Sequence, residues 1–326
     1  MGFRILTSAG AGIVLAPLLW LGGQSAQRVE LTRNGTHVDV QIGGRPFTTY
    51  SFDPSVAKPF FFPLRSAHDA IVTRGYPMTS AIAGEDRDEP HQRAMYFAHG
   101  DINGFDFWGE AAFPAWSDHG ASTFGRTVFR SLDEIRNGDD AGTLQATFDL
   151  VTPPGIIGEE TQTYRFSGDE RSRIIDCTFA IHATRGPLTM GDTKEGTFAV
   201  RVVKDLHPPR GHMVNASGAS GEKAVWGKRS NWVDYSGRVA GEDVGVAMFD
   251  HPQNERTPAY WHARAYGLLA ANPFGLKQFT GDRRQDGRYP IPAGGSLVLR
   301  YRVLIHRGTA LQADVADAYR QFAAQP

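Results

Sequence analysis

Apolar and polar residues alternate with period two along most of this chain, as in strands that bury one face. Short alternating runs occur at Thr143–Val151, Glu160–Phe166, Arg173–Ala183, Thr197–Val203, Val244–Phe249, Ala259–Leu269 and Ser296–His306. Gly, Pro, Asn and Asp clusters separate them. Val29–Val40 and Gln41–Phe52 read as a hairpin, with Asn34-Gly35 and Gly43-Gly44 as turn signals. The pattern predicts an all-β fold, a large antiparallel β-sandwich rather than βαβ units. Helical spacing is clearest at the end. There Leu311, Val315, Tyr319 and Phe322 share a face of a short C-terminal helix that starts after an N-cap at Thr309 and covers a sheet edge or end.

The first residues break the β pattern. Arg4 precedes an apolar run from Ile5 to Gly23, and Gln24-Ser25-Ala26 offers small residues for cleavage. This reads as a secretory signal peptide over residues 1–26 and predicts a periplasmic or secreted protein. Residues 27–326 are then expected to form a single large β-sandwich domain. No other segment reaches the roughly 18 to 20 apolar residues of a membrane span. The 34 basic and 35 acidic residues leave a formal charge of −1, which argues against nucleic acid or an anionic membrane as partner. Cys177, the one cysteine, alternates with Phe179 and Ile181 and reads as a buried structural thiol.

Candidate chemistry concentrates in four places. In the stretch Tyr260 to Tyr266, read as one strand, Tyr260, His262, Arg264 and Tyr266 share a face too polar for a core and too aromatic for an ordinary surface. Such a face suits the floor of a cleft for a polar ligand. His251, Asn254, Arg256 and Asn272 flank it. At the end of Met95–Asp101, His99 and Asp101 leave a strand together, as a base with its orienting partner or as metal ligands; Asp101 can equally cap its own turn. Glu195, Thr197, Ala199 and Arg201 share another face beside Lys194, either flanking a ligand or forming a surface ion-pair ladder. Trp226, Trp232, Asp234 and Tyr235 can form a sugar-stacking platform or fill the core.

Several chemistries lack their motifs. There is no H-E-x-x-H, no cysteine pair, no G-x-S-x-G and no phosphate loop. No cofactor is expected, and a divalent metal held by His91, His99, His251 and His262 is the alternative left open.

The segments Lys58–Leu64, Thr73–Pro77, Phe97–Gly104 with Phe107-Trp108, Lys194–Gly196, Trp226-Gly227 and Asn231–Gly237 resemble, in this order, the PmoA-like or "methane oxygenase" proteins of bacteria. The resemblance implies a large β-sandwich, similar to the galactose mutarotase supersandwich, with His and Glu as acid and base in a shallow concave cleft. It does not imply a membrane methane monooxygenase, which needs several spanning helices. The family pattern Asp-His-Pro-His-His-Arg-Gly is here Asp88-Glu89-Pro90-His91-Gln92-Arg93-Ala94, so two histidines and the glycine are replaced.

These readings lead to an exported carbohydrate-active enzyme. Its acid–base candidates are His99, Glu195, His251 and His262. Its expected ligand contacts are His91, Arg93, Asp101, Lys194, Arg201, Trp232, Asp234, Asn254, Arg256, Arg264 and Asn272. The reaction is mutarotation, epimerisation, elimination or hydrolysis of a sugar or glycoside. A non-catalytic glycan-binding protein with the same cleft is the alternative.

Overall fold

The structure is a computed structural model that describes residues 26–113 and 123–326. The signal peptide expected over 1–26 lies outside them but for its last residue. In chain order the first elements are β1 (Val29–Asn34), β2 (His37–Ile42), β3 (Arg45–Ser51), β4 (Phe60–Phe61), β5 (Met95–His99), β6 (Arg126–Arg136), β7 (Ala141–Thr152), β8 (Gly155–Gly168), β9 (Ser172–His182) and β10 (Leu188–Met190). There follow β11 (Gly196–Arg201), β12 (His212–Asn215), α1 (Glu222–Val225), β13 (Trp232–Val239), β14 (Glu242–Asp250), β15 (Tyr260–Ala263) and β16 (Leu268–Asn272). The last are α2 (Leu276–Thr280), β17 (Tyr289–Ile291), β18 (Ser296–Arg307) and α3 (Val315–Ala323).

Two eight-stranded antiparallel sheets carry the fold. The first has the order β1-β2-β3-β4-β5-β11-β16-β15, and the second β12-β13-β14-β18-β9-β8-β7-β6. Strands β7 and β9 alternate strictly between buried and half-buried positions, and β8 buries every second residue from Gly158 on, as the sequence pattern demands. Their inward residues join those of the first sheet in one apolar cluster. Aromatic pairs lock the sheets together: Phe97 of β5 stacks on Phe179 of β9 at 4.1 Å, and Phe198 of β11 on Tyr301 of β18 at 5.3 Å. Cys177 is buried in this core.

Strands β5, β11 and β16 are buried on both faces. Something besides the second sheet therefore covers the first one, and that cover is where the polar residues gather.

Three local expectations change. The N-terminal hairpin is a three-stranded meander, because both turn signals, at Gly35 and at Gly43-Gly44, reverse the chain. The strand expected over Ala259–Leu269 is itself a hairpin, β15–β16. Gly267 at φ 92 closes its turn, with its N–H bonded to the Arg264 carbonyl. At the C-terminus the helix begins at Val315, not after Thr309, and its N-cap is Asp314. Thr309 instead caps a preceding turn through Gln312 N–H, which leaves Leu311 90% exposed. Val315 and Phe322 still pack on the second sheet, against Trp232 and Phe249.

Candidate functional site

The outer face of the first sheet has a row of side chains in register across five strands: Phe60, Tyr96, Ala199, Ala270 and His262. Side chains alternate across a strand, so these point away from the core that Phe97, Phe198 and Ala271 enter. The two central alanines, with Ala98 beside them, make a low floor between Tyr96 and His262. Loop residues Arg74, Asp88 to Arg93, Trp108 to Glu110, Lys194-Glu195 and Tyr266 surround it.

Buried ion pairs hold these loops. Glu110 accepts two hydrogen bonds from Arg93, at 2.8 and 2.9 Å, and faces Lys58 Nζ at 3.2 Å. Lys58 Nζ also donates to the Trp108 carbonyl at 2.5 Å and lies 5.1 Å from the Tyr96 ring centre. Burial pushes the Lys58 ammonium down, with Glu110 opposing it. For Glu110, burial works upward, but Lys58 and Arg93 outweigh it and the carboxyl ends below its usual range.

A second group is built on Arg74 and Arg201. Asp88 Oδ1 accepts from both, each at 2.8 Å. Arg74 also donates to the carbonyls of Asp88, Glu89 and Gln92, which fixes the path of this turn. Arg201 donates to Gln92 Oε1 at 2.5 Å and lies 4.4 Å from the Tyr266 ring centre. Burial and the neighbouring Arg201 push the Arg74 guanidinium down to about 10. Ala94 ends the turn at φ 21, a backbone that glycine adopts more readily.

Two carboxyl groups stand at the mouth. Glu195 is paired with Lys194, and its other oxygen is 3.9 Å from His262 Nδ1. Glu89 faces His91 Nε2 at 3.5 Å. Their side chains are 17% and 29% exposed, against full burial for the cations beneath. Burial first, then the negative charges of Glu195 and Asp88, raise the Glu89 carboxyl. Burial drives His91 and His262 down to about 3, aided by Lys58 at His91 and by Lys194 at His262, so both rings are neutral. His262 Nδ1 lies 3.1 Å from the Lys194 carbonyl, which assigns the proton to Nδ1. Among the described residues, the buried polar atoms at this face without a hydrogen-bond partner include Arg74 Nε, Arg201 Nε, Trp108 Nε1, Tyr96 Oη, Thr197 Oγ1 and His91 Nδ1. The first five can all donate.

The residues expected to act together divide among three places. Glu195, His262, His91, Arg93, Lys194, Arg201 and Arg264 do meet on this face; Arg264 pairs with Glu222 at 3.1 Å and lies 5.4 Å from the Tyr266 ring centre. Tyr266 and Arg264 reach it from the β15–β16 turn, not from a strand.

His99 belongs to the opposite side of the same sheet. It follows Met95 and Phe97 inward, packs edge-on against Phe274 and bonds the Gly191 carbonyl at 2.8 Å through Nε2. Asp101 caps its own turn at Gly104 N–H. Asn272 is on the outer face, but it is spent on the Thr193 carbonyl and Phe274 N–H.

The third set is remote. His251 packs on Phe322 of α3, and Nε2 lies 3.2 Å from the Gln325 carbonyl. Asn254 ties Asp250 to the backbone of Arg300. Arg256 donates to the Gly287 and Arg288 carbonyls. Trp232 is in the cluster under α3, and Asp234 pairs with His306 at 2.7 Å within the second sheet. The four acid–base candidates therefore do not converge: only Glu195 and His262 do. Nor do the four histidines meet, and among the described residues no group of His, Cys, Asp and Glu is arranged to hold a metal ion.

Sequence reasoning missed Glu89, Asp88, Lys58, Arg74, Tyr96, Trp108 and Glu110 as site residues. One signal for them existed. Lys58, Arg74, Trp108, Lys194 and Glu195 come from separate segments that carried the family resemblance, and the fold brings those segments to one place.

A family described as "Family of unknown function (DUF6807)" matches residues 37–320, and the chain belongs to this family. No curated protein matches the sequence. Among solved structures, the chain is similar to the galactosidase domain of an alpha-galactosidase–sucrose kinase, at 12% identity and TM-score 0.44, over 86% of this chain and 42% of that one. An alpha-galactosidase from Lactobacillus brevis is similar at 8% identity and TM-score 0.44, over 92% and 42%. A galactose mutarotase-like protein from Clostridium acetobutylicum is similar at 10% identity and TM-score 0.32, over 87% and 99%. The chain thus spans about two fifths of the length of the first two.

Proposed function

We propose that this member of the DUF6807 family is an exported enzyme doing acid–base chemistry on a sugar or glycoside against the outer face of the first sheet. The carrying observation is the pair Glu89 and Glu195: two carboxyl groups at one mouth, the first raised by burial and by the charge of the second, the second paired with the Lys194 ammonium. Burial and the charge of Glu195 favour a protonated Glu89, suited to give a proton to a departing or ring oxygen. Glu195, held by the Lys194 ammonium, stands opposite as the group to take one. His262 and His91, both neutral, pack beside the two carboxyl groups rather than carry charge.

The surroundings suit a polyhydroxylated ligand. Half-buried Tyr266 offers an apolar ring face beside the buried pair Tyr96 and Trp108, and the guanidinium Nε, indole and hydroxyl donors without partners suit a ligand rich in oxygen acceptors. The second reading, a glycan-binding protein without turnover, draws on Glu89 and Gln92, which stand where the PmoA-like pattern that this sequence resembles has histidine.

A panel of mono- and oligosaccharides tested against the wild type, Glu89→Gln and Glu195→Gln separates the two. Turnover lost with binding kept in both variants supports the enzyme. Binding by the wild type with no turnover of any sugar leaves only the binding protein. No binding anywhere in the panel refutes both.

A further inference from the structure

Beside the mouth, on the side of α2, lies an open groove of about 710 Å3 lined by Lys194, Trp226, Lys277, Gln278, Gly281 and Arg283. Three of these six carry positive charge and none is a carboxylate. The nearby carboxylates are turned elsewhere. Asp192 accepts the backbone N–H groups of Lys277, at 3.1 Å, and Gly287, at 2.7 Å. Asp282 takes two hydrogen bonds from Arg284, both at 2.9 Å. Asp286, whose charge also feels Lys277, is held by Arg288 at 2.7 Å, so among the described residues neither the Lys277 ammonium nor the Arg283 guanidinium lies within ion-pair distance of a carboxylate. Trp226 Nε1 is buried and unpartnered, a further donor in the groove wall.

The groove is also continuous with the acid–base pair. Lys194 lines it, yet its ammonium holds Glu195 and its carbonyl faces His262 Nδ1. The far wall is continuous as well: Trp226 packs edge-on against Phe279, which stacks on Tyr260 at 5.5 Å and lies 6.4 Å from His262. A sugar chain with one unit at Glu89 and Glu195 places a neighbouring unit here, its ring beside Trp226.

We propose that this groove is a subsite for a negatively charged group on the substrate, so that the substrate is an acidic saccharide bearing a uronate carboxylate or a sulfate ester. The inference rests on the sugar-processing reading of the adjoining site. Guanidinium and ammonium groups without internal partners favour an anion, and an indole N–H adds a directional donor that a carboxylate or sulfate oxygen accepts.

Calorimetric titration with trigalacturonate, a sulfated galactotriose and neutral galactotriose tests it. The wild type should bind one acidic trisaccharide more tightly than the neutral one, with a preference that weakens as salt is added. Which acid is preferred identifies the group. The double variant Lys277→Ala/Arg283→Ala should weaken acidic binding roughly tenfold or more while changing neutral binding less than about twofold. Both side chains are exposed, and Lys277→Gln/Arg283→Gln provides a second variant that keeps polar bulk. Equal affinity for neutral and acidic probes, equal losses for both in the variants, or no binding of either acidic probe overturns the proposal. Turnover of neutral sugars alone would also overturn it and leave the enzyme reading standing. Acid-selective binding without turnover would do the reverse.

Discussion

Replacing Glu160 by Gln should stabilise the protein above mildly acidic pH, by an amount that the surroundings of the carboxyl set. Glu160 lies on β8, buried on the inward side, paired across the sheet with Phe148 and Ile181. Its partner is Gln162 Nε2 at 2.5 Å, while Gln162 Oε1 accepts from the hydroxyls of Tyr50 and Tyr164. Burial raises the carboxyl from 4.5 to about 8, against a lowering effect from Gln162. The folded state therefore holds this proton more tightly than the unfolded chain. Stability is fully present below pH 4.5, is lost as pH rises, and levels off above about pH 8.

The span of 3.5 pH units (8 − 4.5) is worth about 5 kcal/mol as an upper bound, at roughly 1.4 kcal/mol per unit. Gln keeps an acceptor for Gln162 and does not titrate. Urea unfolding of wild type and Glu160→Gln at about pH 5 and about pH 8 measures the difference. The variant's advantage should grow by several kcal/mol between the two. Parallel pH curves for the two proteins would refute the reasoning, because they would mean that Glu160 is equally protonated in folded and unfolded chains.

Three further outcomes follow from the site and its surroundings. The raised Glu89 carboxyl predicts that turnover falls on the alkaline side as Glu89 loses its proton; a kcat–pH profile with the same alkaline limb in Glu89→Gln speaks against it as the acid. Glu110→Gln leaves Lys58 and Arg93 sharing no anion in a buried place, and should cost about 3–5 kcal/mol in denaturant unfolding; a loss under about 1 kcal/mol would show that solvent already reaches the pair. His251→Ala should leave sugar affinity and turnover unchanged, since His251 packs on α3 and the second sheet; a large change in either would place the working site on that side.

Much of the architecture was legible because a half-buried strand writes its burial into alternate residues. β7, β8, β9 and β18 fall within a few residues of their expected bounds for that reason. The reading failed where burial is complete or chain reversal is tight. β15 and β16 merged into one expected strand because both are short, and Gly267 alone marks the turn between them.

The candidate site was legible in part. Strand parity grouped Tyr260 with His262 on one face and Thr197, Ala199 and Arg201 on another, and only the pairing of β11, β16 and β15 brings the two groups to the same side of the sheet. Parity relates neighbours within one strand; it does not say which face of a sheet meets the core. His99 was judged by its polar type, yet it shares parity with Met95 and Phe97 and goes inward.

The sequence by itself determined an all-β, antiparallel sandwich, the residue types available for acid–base chemistry and a chain without a basic footprint. These depend on local periodicity and composition, which pairing between distant segments does not alter. Only the tertiary structure decided which polar residues are neighbours. Glu89 and Glu195 are more than a hundred positions apart, and their mutual effect exists because β5 pairs with β11 and the Arg74–Asp88–Arg201 contacts fold one loop over that pair. His251 and Asp234, with the same chemistry, were carried to the far sheet. Electrostatic interaction falls with distance and with solvent access, and both are set by packing rather than by position along the chain.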